Sequence, residues 1–291
     1  MPELPEVEVT RRRIEPLLLG RKIARVITSE PSYFYLTPPD QIRRALEGQQ
    51  FSALERRGKY LITDLQSGQR LLLHLGMTGQ LFGSGSSSVR LLSASQRAAL
   101  SPEEQKSFEP DAHTHLQIHF EDSGPGVLFR DIRKFGKIKL LAAGELEPRL
   151  ERLGVDALSA SAEHLYAAAR KRKVAVKNLL LDQSVLAGVG NIYADEALFA
   201  AGVRPGRGAG RVTRAECERI ARSLVRILER SIETGGSSIS DYIAPDGSDG
   251  GFQDERRVYG RKDEPCLVCS APIKRRVIAQ RSSHYCALCQ R

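Results

Sequence analysis

At 291 residues with 41% hydrophobic content, the chain is long enough to bury a real core and divides most naturally into two domains with room for a small appendage. Its formal net charge of +9 favours a polyanionic partner, and because no apolar run is long enough to cross a bilayer, nucleic acid is expected rather than a membrane. The first twenty residues are charged and lack an apolar stretch ahead of a cleavage site, so the chain is expected in the cytosol, where five cysteines argue against a disulfide framework.

The opening MPELPEVEV reads as the start of a helix. Pro5 suits the first helical position, Glu6 and Glu8 complement the positive end of the dipole, and Val7, Ile14, Leu17 and Leu18 recur at helical spacing until Gly20 stops the run. Pro2 and Glu3 lie ahead of that helix with no capping or hydrophobic role, and need a second reason. Downstream, RKIARVITS, FSALERR, KYLITDL, QRLLLHL, THLQIHFED, GVLFRD and KIKLL are short, β-branched or alternating, and separated by turn residues. Residues 1–142 are therefore expected to form a β-sandwich with a leading helix. A Ser and Gly cluster followed by SPEE interrupts it between Ser84 and Pro110; Ser101, Pro102 and Glu104 have the form of a capping box on a short helix, within a mobile surface insertion.

From 145 to 234 the period becomes helical, through LEPRLERLG, SAEHLYAAARKRK, AVKNLLLDQ, YADEALFAAG and TRAECERIARSLVRILERSIETGG. Cys217 in the last of these fits a helix-packing residue. A Gly- and Asp-rich loop, residues 235–254, leads to a final segment, 255–291, in which Cys266-x2-Cys269 and Cys286-x2-Cys289 are separated by IKRRVIAQRSSHY, with the alternation and turn residues of a hairpin. Two such knuckles bring four thiolates around one structural Zn2+ with no open position. Lys274, Arg275, Arg276 and Arg281 place positive charge on the hairpin, where it suits gripping phosphates.

Other motifs are weaker taken singly. In GVGNIYADEALF, Gly188 and Gly190 let the backbone approach a ligand closely, and Asn191 is placed to cap the next helix, whose free amides form an anion site. His74 and Met77 in HLGMTG, Arg133 and Phe135 in RDIRKFG, and Lys59 in RRGKYL each also fit an ordinary structural role.

Together, and in this order, MPELPEVEV, RRGKYL, HLGMTG, RDIRKFG, GVGNIYADEALFAAG, VYGRKDEPC and QRSSHYCALCQR closely resemble the bacterial formamidopyrimidine-DNA glycosylases. The resemblance implies a multi-domain α+β fold: N-terminal β-sandwich, helix-two-turns-helix domain and zinc ribbon. It implies base-excision repair of oxidised purines in double-stranded DNA, with strand nicking by β,δ-elimination. Pro2, once Met1 is removed, is then the amine nucleophile, and Glu3 shuttles protons. Lys59, His74, Asn191 and Arg281 match positions that hold phosphates, with Lys59 counted in the catalytic set. Met77, Arg133 and Phe135 match the side chains that fill the hole left by the flipped base, and residues 237–253 match the loop that closes over it.

The insertion is longer than the family's pattern, and Ile132 stands where proline is common. The expected partner is DNA, with no membrane, and the default state a monomer in the cytoplasm, associated with the nucleoid. Two alternatives stay open at this stage. One is the endonuclease VIII type branch, which prefers oxidised pyrimidines and more typically has glycine where this chain has Leu4. The other is a non-catalytic zinc-ribbon DNA-binding protein, for which Pro2 and Glu3 would have no use.

Overall fold

The computed structural model describes residues 1–86, 89–91, 101, 108–238 and 242–291. The chain forms two units: Met1–Pro2 with Glu6–Glu147 and Gly235–Gly250, and Glu3–Pro5 with Pro148–Thr234 and Gly251–Arg291. Helix α1 (Leu4–Leu18) therefore begins in one unit and runs into the other. Its stripe of Val7, Ile14 and Leu18 is buried in the main core of the first unit. Each such side chain contributes about 1.5–3 kcal/mol by leaving water.

That core lies between two antiparallel four-stranded sheets. One has the order β1-β6-β7-β5, built from β1 (Ile23–Thr28), β5 (Gly79–Gly83), β6 (Thr114–Phe120) and β7 (Val127–Asp131). The other has the order β2-β3-β4-β8, from β2 (Phe51–Arg57), β3 (Tyr60–Leu65), β4 (Arg70–His74) and β8 (Lys137–Leu141). The seven segments read as strands all form, and the sequence reading missed two elements. Strand β5 begins and ends with glycine, which carries no strand signal, and all five of its residues are buried. Helix α2 (Pro39–Leu46) begins on the second proline of the Pro38-Pro39 pair, which looks like a turn, yet it buries Ile42 and Leu46.

The capping-box helix expected around SPEE lies outside the described residues. The insertion's flanks are packed: Leu91 and Phe108 join Phe82, Leu128 and Ile243 in a second small core, and Ser86 Oγ donates to Pro245 O at 2.8 Å.

The second unit is helical, with α3 (Pro148–Glu151), α4 (Ala162–Ala169), α5 (Val176–Leu181), α6 (Asn191–Ala200) and α7 (Arg214–Glu233). A short parallel pair, β9 (Val155–Asp156) and β10 (Leu186–Ala187), is threaded among them. Helix α7 opens with a full capping box between Thr213 and Glu216, an arrangement that stabilises a helix start by about 1 kcal/mol.

Cys217 is buried on the inner stripe of α7, and burial, with Glu216 adding, pushes its thiol up to about 11. At pH 8 only about one such thiol in a thousand is ionised, against about a quarter for a free cysteine. Cys217 is accordingly expected to resist iodoacetamide in the native zinc-loaded protein and to react after guanidinium unfolding. Rapid native alkylation at this position, mapped by mass spectrometry, would contradict the packing role.

The chain then forms a hairpin of β11 (Ile273–Ile278) and β12 (Arg281–Cys286), joined by Ala279 and Gln280. Both turn residues have left-handed φ, of 45° and 62°. Non-glycine residues adopt that region at a cost, which the paired strands on either side sustain.

Candidate active site

The structure places Glu3 against the first turn of α6. The Leu4 amide donates to Gly188 O at 3.0 Å, which strings the first residues onto the GVGN loop. Glu3 is 3% exposed. Its Oε1 accepts from the Ile192 amide at 3.0 Å, and its Oε2 lies 3.5 Å from the Tyr193 amide. These are first-turn amides of α6, whose positive end stabilises a carboxylate. Pro2, next in the chain, is buried, while Met1 is exposed.

Two expectations for this loop are corrected. Gly188 and Gly190 make room for the chain's own N-terminal segment rather than for a ligand. A Cβ on Gly190 would fall 2.1 Å from Glu3 Cδ, and one on Gly188, whose φ is +107°, would fall 2.6 Å from Leu4 Cδ1. Nor does Asn191 cap α6: Gly190 holds the cap position and makes no side-chain cap bond. The Asn191 Nδ2 donates instead to Ser282 O at 3.0 Å, reaching the strand that begins with Arg281.

A buried ionic cluster that the sequence reading missed fixes that strand. Lys177 has no exposed surface. Its Nζ lies 2.7 Å from Asp195 Oδ1 and donates to Ser282 O and Ser283 Oγ, each at 2.8 Å. Asp195 Oδ2 accepts from the His284 amide at 2.8 Å. Burial pulls the Lys177 ammonium below its ordinary range, and Asp195 opposes that by favouring the charged form. Removing one partner of such a pair costs about 3–5 kcal/mol because it strands the other charge. The cluster thus pins β12 to α5 and α6. Its signal in the sequence was a lysine inside the apolar run VAVKNLLL.

In the first unit, Lys59 is a buried residue of the tight turn between β2 and β3, after Gly58 at φ +58°. His74 ends β4 with its ring 4.7 Å from that of Tyr60, and its Nδ1 accepts from the Gly76 amide at 3.1 Å.

Met77 and the Arg133–Phe135 pair share one location because of the sheet topology. The β4-to-β5 and β7-to-β8 connections both cross from one sheet to the other. His74 is paired with Lys137 on one side, and Gly79 with Asp131 on the other. The two crossovers therefore run side by side, so close that a Cβ on Gly76, at φ +64°, would fall 2.4 Å from Phe135 C. The fully buried Asp131 ties them together: its carboxylate accepts from the Thr78 hydroxyl, from the Arg133 amide at 3.2 Å and from the Gly136 amide at 2.6 Å.

With its polar atoms turned inward in this way, the pair of crossovers leaves Met77, Ile132 and Phe135 38%, 48% and 42% exposed. Exposed apolar side chains grouped on one site mark a surface made to meet something.

The four ribbon cysteines have their sulfurs within 4.8 Å of one another. Cys266 and Cys289 sulfurs are 3.9 Å apart, and those of Cys269 and Cys286 are 3.4 Å apart. Four Zn–S bonds of about 2.3 Å in a tetrahedron require sulfurs about 3.8 Å apart. The donor set therefore fits one structural Zn2+, which four thiolates would close to further ligands.

Three family models match in sequence along the chain: the formamidopyrimidine-DNA glycosylase N-terminal domain over residues 1–138, the H2TH domain of the same glycosylase over 153–243, and the zinc finger found in FPG and IleRS over 263–291. In that order they define a zinc-bearing DNA glycosylase. The formamidopyrimidine-DNA glycosylase of Thiobacillus denitrificans is 42% identical over 293 residues, and that of Thermus thermophilus 40% over 296; this chain is covered in full by both, and the relatives to 100% and 98%.

Among solved structures, the MutM (Fpg) protein of Thermus thermophilus superposes with a TM-score of 0.82 at 38% identity, covering 99% of this chain and 98% of that one. A Lactococcus lactis Fpg variant in complex with a Fapy-dG containing DNA gives 0.85 at 31% identity, with both chains covered in full. MutM in complex with carbocyclic 8-oxo-G containing DNA gives 0.84 at 31%, again with full coverage. The chain belongs to the formamidopyrimidine-DNA glycosylase family, which makes it a base-excision repair enzyme, a DNA glycosylase and AP lyase. Among the described residues, no helix is long and apolar enough to cross a membrane.

Proposed function

We propose that this enzyme removes 8-oxoguanine and formamidopyrimidines from duplex DNA and nicks the strand, with Pro2 as nucleophile and Glu3 as the group that moves protons. After loss of Met1, the lone pair of the Pro2 amine forms a bond to the sugar C1′. The glycosidic bond breaks and the base leaves with the proton that the amine gives up. The C1′–O4′ bond then opens as O4′ gains a proton, leaving an iminium that stays charged because a secondary amine has no further N–H to lose. Loss of a C2′ proton expels the 3′ phosphate, and a second elimination expels the 5′ phosphate. Glu3, once it has taken a proton from solvent, gives it to O4′, and its carboxylate then takes up the C2′ proton in the elimination.

The observation that carries this reading is the setting of Glu3. A carboxylate beside Pro2, taken out of water and held by the α6 amides, is an arrangement that a pure binding module has no reason to build. Lys59, His74, Asn191 and Arg281 hold phosphates around the extruded nucleotide, with Lys59 near the chemistry. Met77, Arg133 and Phe135 fill the duplex, Arg133 facing the widowed cytosine and Phe135 wedging between base pairs. Extrusion costs a few kcal/mol, which wedges and clamps of this kind offset. The exposure of Met77 and Phe135 supports that role, and the lesions in the DNA bound by the neighbouring structures support the substrate class. The four ribbon cysteines would hold the zinc, which supplies a rigid support for the basic hairpin. The reading is completed by residues 235–254 as the capping loop and by a monomer working at the nucleoid in the cytoplasm.

Borohydride trapping on duplex DNA carrying 8-oxoguanine opposite cytosine, beside an oxidised pyrimidine, tests the proposal. The expected result is a covalent adduct mapped to Pro2 and stronger for the purine. An adduct favouring the pyrimidine would move the enzyme to the endonuclease VIII type branch. No adduct, from protein that has lost Met1 and binds DNA, would leave only a binding module.

A further inference from the structure

The loop Ile132–Gly136 is anchored from below by Asp131, and a second set of contacts holds it from the outside. The Tyr33 hydroxyl donates to Arg133 O at 2.7 Å. The Lys137 ammonium donates to Lys134 O at 3.3 Å and Gly136 O at 3.0 Å, and it also sits 4.9 Å from the centre of the Tyr33 ring. Tyr33 is 60% exposed, so the hydrophobic effect gives little reason for an aromatic ring there. Its specific contacts are the carbonyl of the residue that stacks its guanidinium 4.6 Å over Phe135 and the ammonium that gathers the rest of the loop. Lys134, between them, has φ +57°, a left-handed conformation that lysine adopts only when held.

We infer that Tyr33 is a positioning residue for this loop: its hydroxyl, steadied beside Lys137, fixes the Arg133 carbonyl and so sets the direction in which Arg133 and Phe135 enter the duplex. The inference rests on the proposed role of Arg133. Asp131 and Thr78 fix the depth of the loop, and Tyr33 fixes its lean. A loop free to lean would still fill space, but would present the guanidinium to the opposite base less sharply.

Tyr33→Phe removes the hydroxyl and keeps the ring, at a largely exposed position where the fold does not depend on it. The measurement is kcat/KM for 8-oxoguanine opposite cytosine and opposite adenine, with thermal melting and cleavage of a preformed abasic site as controls. The expected result is a cytosine-to-adenine ratio lower by about fivefold, the equivalent of one neutral hydrogen bond, with melting and abasic-site cleavage unchanged. Arg133→Ala, run in parallel, is expected to collapse the ratio. If Arg133→Ala collapses it and Tyr33→Phe does not alter it, the brace is overturned and the reading of Arg133 stands. If Arg133→Ala leaves the ratio unchanged, that reading fails, and the brace fails with it.

Discussion

Glu3→Gln is expected to bind lesion-containing duplex as the parent does and to cut it about 10²- to 10⁴-fold more slowly, the range a general acid–base group contributes. The substitution keeps an acceptor oxygen for the Ile192 amide, which donates at 3.0 Å, so the N-terminal segment stays on the GVGN loop. What it removes is the capacity to take up and release a proton. Pro2→Gly is expected to match it by replacing the secondary amine with a primary one in an altered backbone. Gly190→Ala approaches the same group from the other side, since the added methyl would need space that Glu3 Cδ occupies at 2.1 Å. It too is expected to lose cleavage before it loses affinity. Binding by fluorescence anisotropy beside single-turnover cleavage separates the two quantities. Undiminished cleavage by both Pro2→Gly and Glu3→Gln would sink the assigned mechanism.

Removal of zinc is expected to have the second large effect. The ribbon has little apolar core of its own: Ile273 and the cysteines pack with Phe199 and Val258, and much of that cluster is sulfur. Without the cation, nothing holds the four cysteine sulfurs together within 4.8 Å. Structural zinc contributes about 10–16 kcal/mol of apparent folding free energy in isolated fingers, far more than this small cluster could replace. Cys286→Ser, or exhaustive chelation, is therefore expected to lower DNA affinity by at least about 100-fold, as the hairpin carrying Arg281 loses its shape. Zinc content by mass spectrometry and far-UV circular dichroism should show metal loss with the helices of α6 and α7 retained. Full affinity in metal-free protein would remove the ribbon from the DNA interface.

What the sequence made legible was what chemistry writes locally. The α1 stripe repeats every turn, the two cysteine pairs carry their own spacing, and alternation marks the longer strands. What it hid was non-local. Gly188 and Gly190 read as room for a ligand because a string of letters does not say whose atoms will arrive, and those that arrive belong to Glu3 and Leu4. Asn191 sits in a capping sequence, yet a carboxylate from the far end of the chain takes the helix amides and frees the asparagine for Ser282. Lys177 sits in an apolar run, but only the fold reveals the Asp195 carboxylate closed in with it. Met77 and Phe135 could be recognised one by one, but their adjacency depends on two strand connections crossing between sheets at one register.

The hold on Glu3 also imposes an order in time. A hydrogen bond that spans 189 residues cannot form while the chain is still short, and its loop closure is among the slower events of folding. The first residues to leave the ribosome thus wait for α6 to be made and folded before Glu3 has a helix end to rest on. A nascent or truncated chain that has already made the β-sandwich still lacks this setting. On the proposed role of Glu3, the capacity to open a DNA strand is in this way deferred until the helical unit exists.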